Sequence, residues 1–244
     1  MNILGIDTTG KLASVVVKKE DKIFIGSDIN NITHSEKLLP LIHKTLKESN
    51  LNFNDINLLA TTNGPGSFTG CRIGVATIKA LSHPRNIDIL AISSLELIAF
   101  EAYLSLNDNN EKYICSILDA RNNRVYYAVY RLYKKDKKIN IETVSNTSND
   151  DLSIVLDNVS TFNSCIFAGD CTNKFKDDIL EYTKNNNLNY TYLDNEIEPE
   201  AKFLVNYYEN VAENIVSTKY YTTYNLDVVY SRVSQAERMQ NEKH

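Results

Sequence analysis

The chain has 244 residues, of which 43% are hydrophobic and 23% charged, and its formal net charge is −5. These values are ordinary for a globular protein; the apolar runs are far shorter than the roughly 20 residues of a membrane helix, and the mild acidity excludes nucleic-acid binding through a general basic surface. Because the N-terminus lacks the basic region and long apolar stretch of a signal peptide, we expect a cytoplasmic protein with four free cysteines.

The first fifty residues carry a three-stranded β pattern followed by a helical one. Short apolar runs rich in β-branched residues predict strands over residues 3–7, 13–17 and 23–25. Thr33 and Glu36 have the spacing of a capping box, which predicts that a helix starts there. Pro40 lies inside the helical pattern, so we expect it either to kink the helix or to displace its start. The apolar stripe of this helix comprises Leu38, Leu39, Ile42 and Leu46.

Two further strand–helix pairs complete the first half. The patterns predict, in order, a strand (56–62), a glycine-rich turn (63–66), a helix from about Ser67 to Leu81, a strand (87–92), and a helix that Ser93 caps and that ends near Leu104. The predicted order is therefore βββαβαβα. The polar residues 107–110 mark a boundary between two lobes, which we place at 1–106 and 107–244.

The second half weakly repeats the first. An apolar strand again ends in an acid, Asp119, and six positions separate it from Val125, as six separate Asp7 from Ala13. An apolar face after Pro199 predicts a helix that continues to Ile215, and the last segment is expected to pack back on the first lobe. This duplication predicts an α/β fold with two lobes, each a mixed sheet flanked by helices. Such lobes are typical of the actin–hexokinase–Hsp70 (ASKHA, ribonuclease H-like) architecture.

The glycine-rich segment, residues 63–74, matches neither common nucleotide motif. It lacks the Gly-Lys-Ser/Thr ending of a P-loop, and Thr69 stands where a dinucleotide fingerprint would have glycine. Gly64 and Gly66 fit a tight turn before a helix, whose first amides could bind an anion. A plain turn explains the same residues.

Two glycines inside the predicted second helix need a separate reason. Gly70 and Gly74 each cost about 0.5–1 kcal/mol relative to alanine, and they lie four residues apart on one face. Either another part of the same lobe packs closely there, or a helix of another chain does. Thr77, Ile78 and Leu81 extend this face.

The remaining candidates for chemistry are weak. Asp7, with Thr8 and Thr9 after it, could face a nucleotide or its metal across the cleft, although an acid at a strand end commonly starts a turn. The four histidines are never spaced i, i+4, so the sequence predicts no two-histidine metal site on one helix. No nucleophile motif is present either.

Several segments resemble the TsaB family (also called YeaZ). Residues 64–76 closely resemble its signature, although Cys71 stands where the family usually has leucine. Residues 3–9, 34–40 and 230–237 are similar to its first strand, first helix and C-terminal motif. A proline usually precedes that last motif, and residues 227–229 replace it here.

The resemblance implies the two-lobed ASKHA fold and a role in making threonylcarbamoyl-adenosine on tRNA. The chain would be a non-catalytic scaffold that forms a heterodimer with the transferase TsaD and supports the ATPase TsaE. It would meet tRNA only through the complex and would form a homodimer when alone. The complex uses ATP, but no cofactor or metal is assigned to this chain. The implied partner interface comprises His34, Leu38, Leu39, Ile42, Gly66, Phe68, Gly70, Arg72, Gly74, Thr77, Ile78 and Leu81.

This interface makes a specific prediction: Gly74→Leu should fold but no longer bind TsaD. Two enzymatic functions stay open as alternatives. A nucleotide-dependent phosphotransferase would rest on the two-lobed fold and Asp7, which is an analogy of fold. A peptidase would rest on the name of a related glycoprotease family.

Overall fold

The structure is a computed structural model that describes residues 1–28, 34–162 and 164–229, and within these the side chains of all residues but 28 and 34–36. The capping residue predicted at Thr33, the side chain of the interface candidate His34, and the motif at 230–237 therefore lie outside the described residues.

The first half folds in the predicted order. Its elements are β1 (Ile3–Asp7), β2 (Ala13–Lys19), β3 (Lys22–Asp28), α1 (His34–Glu48), β4 (Leu58–Thr62), α2 (Phe68–Ser82), β5 (Ile89–Ile92) and α3 (Ser94–Ser105). The second half repeats this order as β6 (Lys112–Asp119), β7 (Arg124–Lys135), β8 (Lys138–Asp151), α4 (Leu152–Val159), β9 (Ser164–Gly169), α5 (Lys176–Asn185), β10 (Asn189–Tyr192) and α6 (Ala201–Asn210). Two short elements follow, α7 (Glu213–Val216) and β11 (Tyr220–Tyr221).

The two sheets share one topology. The first has the strand order β3-β2-β1-β4-β5-β11 and the second β8-β7-β6-β9-β10. In each, the first three strands form an antiparallel meander, and the next two join parallel to the first strand. Because β1, β4 and β5 are covered on both faces, every residue in them is buried, as is usual for parallel strands. The predicted α/β duplication and its ASKHA-type fold are confirmed.

Helices α3 and α6 lie between the sheets, and each of them packs on the sheet of the other half. Helix α3, from the first half, packs on β6, β7 and β9, whereas α6, from the second half, packs on β1, β2 and β4. The amide of Ala201 donates to Ser14 Oγ (2.8 Å), and the Tyr207 hydroxyl donates to Glu96 Oε1 (2.5 Å). One apolar core therefore joins the inner faces of both sheets. Helices α1 and α2 cover the outer face of the first sheet, and α4 and α5 that of the second.

Several predicted details are wrong. Leu39 is exposed, while the rest of the apolar stripe predicted for α1 is buried. Of the two effects expected of Pro40, displacement of the helix start does not occur, because the proline lies inside α1. Ser93 precedes α3 but makes no side-chain capping bond. The last long helix ends at Asn210, because Val211 forms a bridge with Ile139 of β8 instead of continuing the helix. Helix α4 was not predicted. None of the described helices is long and apolar enough to span a bilayer.

Candidate functional site

Asp7 is completely buried at the end of β1, and its carboxylate is held by its own lobe. The Thr9 amide donates to Oδ1 at 3.1 Å and the Thr9 hydroxyl to Oδ2 at 3.0 Å. The Thr62 hydroxyl, at the end of the neighbouring β4, also donates to Oδ2. Burial raises the pKa of Asp7, and these hydrogen bonds oppose the rise. The carboxylate is thus satisfied internally and has no exposed surface.

The loop after β1 packs tightly against α2, and this contact explains the two helical glycines. A β-carbon added to Gly70 would lie 1.9 Å from the Thr8 carbonyl oxygen, and one added to Gly74 would lie 2.4 Å from Thr8 Oγ1. The Thr8 hydroxyl donates to the Gly70 carbonyl (2.7 Å), and the Ser67 amide donates to the Thr9 carbonyl (2.8 Å). Packing within the lobe therefore explains Gly70 and Gly74, which are both buried, and their assignment to a partner contact stays a prediction.

The turn before α2 is covered by a segment that was not foreseen in detail. Residues 222–229, which we call the C-terminal strap, run along α2 after β11. The Thr223 hydroxyl donates to Ser82 Oγ at the helix end (3.0 Å). Leu226 is 1% exposed in the core beneath α2, and its carbonyl accepts from Lys79 Nζ (3.0 Å). The Val229 amide then donates to the Asn63 carbonyl (2.9 Å), which leaves Gly64 buried at φ +107°.

Between the lobes, the second half contacts the β1–β2 loop directly. Lys11 Nζ of this loop lies 2.7 Å from Glu198 Oε1, and a β-carbon on Gly10 would be 3.4 Å from the Pro199 carbonyl oxygen. Behind them, Asp170 accepts a hydrogen bond from the Asp119 amide (2.9 Å), and burial raises the pKa of Asp170. The structure brings the predicted anion candidates together, but all four of them are buried: Asp7, Thr8, Thr9 and Gly64.

The predicted interface residues whose side chains are described divide into buried, partly buried and exposed groups. Leu38, Ile42 and Ile78 are buried in the core under α1 and α2, as Gly70 and Gly74 are, so none of these five offers a side-chain surface to a partner. Gly66, Thr77 and Leu81 are partly buried.

The residues that do face outward form what we call the α1–α2 outer face. Leu39 on α1 is 58% exposed and Phe68 on α2 is 41% exposed, and the Arg72 guanidinium lies 3.8 Å from the centre of the Phe68 ring. Ala76 and Ala80, which sequence reasoning missed, are also exposed and continue the row of Phe68 and Arg72 at intervals of four. The four-residue spacing in the sequence could have indicated that these two alanines lie on the same helix face as Phe68 and Arg72.

The described residues offer little for covalent or metal chemistry. All four cysteines are free and buried, and burial raises the pKa of the Cys71 thiol to about 12. Such a thiol is a poor nucleophile at neutral pH. Within the described ranges, no group of three or more His, Cys, Asp or Glu side chains could hold a metal ion.

Comparison with known proteins identifies the family. Residues 28–218, more than half of the chain, match the family described as TsaD: tRNA N6-adenosine threonylcarbamoyltransferase. Two curated proteins named tRNA threonylcarbamoyladenosine biosynthesis protein TsaB are also similar. The one from Escherichia coli (strain K12) is 31% identical over 131 residues, and the one from Bacillus subtilis (strain 168) is 33% identical over 133 residues. The chain belongs to this family, in its TsaB (YeaZ) branch.

The curated matches are partial. The chain matches about half of the length of these TsaB relatives, 55% of the first and 56% of the second, with 54% of its own length. The structural likeness extends further. YeaZ from Pseudomonas aeruginosa is 19% identical with a TM-score of 0.70, and the match covers 94% of this chain and 99% of that one. A structure described as an uncharacterized protein with similarity to peptidase YEAZ, also from P. aeruginosa, is 20% identical with a TM-score of 0.73, and the match covers 95% and 99%. These likenesses show that the TsaB-branch chain shares the YeaZ fold.

Proposed function

We propose that this TsaB-branch chain is a non-catalytic subunit of the machinery that makes threonylcarbamoyl-adenosine on tRNA. It would bind and activate a TsaD-type transferase and support TsaE, and would itself bind no nucleotide or metal. The names of its curated relatives support the pathway. The supporting features of the molecule are the buried carboxylate of Asp7 and the exposed apolar side chains on α1 and α2.

The burial of Asp7 carries the non-catalytic part of the proposal. A general base or a metal-binding carboxylate must reach its substrate, within hydrogen-bond distance or through one water. Asp7 has no exposed surface, and Thr9 and Thr62 already donate to its oxygens. Glu198 adds a carboxylate at the β1–β2 loop, where it pairs with Lys11 and so neutralises the ammonium group that could otherwise attract a phosphate.

The α1–α2 outer face is the partner surface in this proposal. Its exposed Leu39 and Phe68 lie over a well-packed core, so the face is presented by two fixed helices. The exposed alanines at 76 and 80 would let the backbone of a partner helix approach α2 closely. Arginine is enriched among the residues that contribute most to binding energy in protein interfaces, and the aromatic ring beside it adds apolar contact area.

Reconstituted modification of tRNA tests the function. The mixture contains a TsaD-type transferase, TsaE, the enzyme that makes threonylcarbamoyl-adenylate, and unmodified tRNA, with and without this chain. We expect product only when the chain is present and none from the chain alone. Equal product without it would overturn the proposal, as would turnover of ATP by the isolated chain at a rate that accounts for the reaction.

A matched pair of leucines tests the surface. Gly74→Leu is unsuitable, because the side chain would collide with Thr8 inside the lobe. Leu39→Arg instead places a charge on the proposed face, and Leu180→Arg makes the same change on α5, where the leucine is 42% exposed. We expect Leu39→Arg to weaken binding to TsaD at least tenfold and Leu180→Arg to leave it unchanged. Equal effects of the two variants would contradict this surface.

A further inference from the structure

The equivalent hairpins of the two halves share a lysine-rich turn. Strands β2 and β3 are joined through residues 18–23, which read Lys-Lys-Glu-Asp-Lys-Ile, and β7 and β8 through residues 134–139, which read Lys-Lys-Asp-Lys-Lys-Ile. The two segments, which we call the lysine hairpins, contain seven lysines and three acids in a chain whose net charge is −5. Positive charge is therefore concentrated at two matching places of an acidic protein.

In each lysine hairpin, two lysines lie directly opposite each other. Lys19 pairs with Lys22 across the first turn, and Lys135 pairs with Lys138 across the second. Like charges at opposed positions of a strand pair are destabilising, so both halves carry the same unfavourable contact. An anion that binds beside such a pair removes the repulsion.

The two lysine hairpins lie next to each other at the C-terminal end of α6. The Lys18 ammonium group is 2.9 Å from Glu209 Oε1, and the Lys138 ammonium group donates to the Glu209 carbonyl oxygen. One residue therefore holds a lysine of each hairpin. Beside them, Ile139 forms a bridge with Val211, which follows α6. An extended ligand at this end of the molecule can contact both turns.

Contacts within the chain account for only some of these lysines. Glu209 partners Lys18 and Lys138. Lys19 Nζ lies 3.4 Å from the carbonyl oxygen of Ser49, directly after α1. These three lysines offset the negative ends of two helix dipoles. The other four are exposed, and their side chains have no hydrogen bond or ion pair within the described part of the chain: Lys22, Lys134, Lys135 and Lys137.

We infer that the lysine hairpins bind the phosphate backbone of RNA, so that this chain contacts tRNA directly within the complex. The choice of RNA rests on the proposed function, whereas the excess of positive charge does not. A nucleic-acid backbone carries one negative charge per nucleotide and can reach both turns, which a single small anion cannot. Lysine contacts phosphate as a point charge and reads no base, so the contact adds affinity and orientation without sequence specificity.

Binding of unmodified tRNA to the full chain in complex with a TsaD-type transferase tests the inference, by fluorescence anisotropy over a range of salt concentrations. Lys22→Glu and Lys135→Glu each change one turn. Lys184→Glu, at an exposed position on α5, changes the net charge by the same amount and is the control. We expect each hairpin variant to raise Kd at least threefold and to lower the slope of log K against log salt by about one, because a phosphate contact is lost. The control should change neither quantity.

Two results of this measurement would overturn the inference: equal effects of the hairpin and control variants, or no effect of either hairpin variant. Vesicles that contain phosphatidylserine test the competing membrane surface. If the native chain binds them, the two hairpin variants do not, and tRNA affinity is the same in all three, the lysines serve a membrane and the RNA contact is wrong.

Reconstituted modification at low tRNA concentration keeps this inference apart from the proposed function. Product that requires the chain but forms equally well with Lys22→Glu and Lys135→Glu would contradict the RNA contact and leave the subunit role in place. Product that forms without the chain would contradict the subunit role itself, and the choice of RNA with it. Product that requires the chain and falls in the two hairpin variants alone supports both.

Discussion

At Gly70 the sequence shows that a glycine is required but not what requires it. The cost of a helical glycine is visible in a window of a few residues, whereas the group that excludes a side chain, the Thr8 carbonyl, is 62 positions away in the sequence. Sequence reasoning therefore left two explanations open, and the structure supports packing within the lobe. Contacts that depend on such distant pairs can be recognised only once the fold places them together.

The Gly70→Ala substitution separates helix propensity from packing. Propensity alone predicts that alanine stabilises α2 by up to about 1 kcal/mol. The new β-carbon would lie 1.9 Å from the Thr8 oxygen, so we expect a net destabilisation of about 1–3 kcal/mol in urea unfolding. Gly10→Ala is the control, because its nearest atom would be at an ordinary 3.4 Å, and little change is expected. A more stable Gly70→Ala protein would contradict the tight contact.

Glu101 should make the stability depend on pH. Its half-buried carboxylate on α3 accepts from Asn206 Nδ2 on α6 (3.0 Å), and burial raises its pKa from 4.5 to about 7. The group ionises more readily in the unfolded chain, so the folded state loses stability as the pH rises from about 4.5 to about 7, and the loss stays constant above that. Lys202 partly offsets the rise in pKa, and Glu200 adds to it.

Glu101→Gln tests this dependence, because glutamine can still accept from Asn206 but does not ionise. We expect the variant to be more stable than the native chain at pH 8 by about 1–2 kcal/mol, after allowance for partial exposure, and equally stable at pH 4.5. Glu111→Gln is the control: Arg131 lowers the pKa of Glu111, so this variant should gain nothing at pH 8. The same difference at both pH values would argue against a titrating Glu101.

Among the elements, those with a strong local pattern were predicted well and those defined by distant contacts were not. The strands of the first lobe and helices α2 and α3 were predicted from their apolar periodicity and from the glycine and proline residues that end them. The end of α6 does not, because apolar residues continue at helical spacing to Ile215 while Val211 pairs with β8. The C-terminal strap has almost no periodic signal, since Leu226 is its single fully buried apolar residue.

Truncating Leu226 should therefore loosen the strap. The residue is 1% exposed in the core beneath α2, so Leu226→Ala is expected to cost about 2–4 kcal/mol in urea unfolding. Val229→Ala, at a strap residue that is 42% exposed, should cost less than about 1 kcal/mol. Hydrogen exchange at Val229, whose amide donates to Asn63, should accelerate in Leu226→Ala. Unchanged exchange and stability would show that the strap is not anchored through Leu226.

For the whole molecule, the duplication was predictable but the exchange of helices between lobes was not. Two strands that end in acids at matching spacing, each followed by a meander, indicated two similar lobes. Helix α3 is buried on nearly all sides, which marks it as a core helix but does not tell which sheet it packs on. The candidate site was likewise predicted only in part. The sequence indicated Asp7 at the end of β1, but it did not indicate that this residue is buried.

The exchanged helices should make the two halves fold as one unit. Without the second half, the inner face of the first sheet would lose α6, and α3 would expose the side that packs on β6 and β7. We therefore expect that neither residues 1–106 nor residues 107–244, expressed alone, gives a cooperative unfolding transition, because each exposes a large apolar surface.

Co-expression of the two fragments should restore a cooperative transition, since the exchanged contacts need no covalent link. Proteolysis of the full chain at a cleavage site inserted into the polar residues 107–110 is the control, because it breaks the chain after folding and leaves every core contact in place. A native-like transition in residues 1–106 alone would show that α6 is dispensable to the first sheet. The shared core between the sheets would then be a docking interface rather than the centre of a single folding unit.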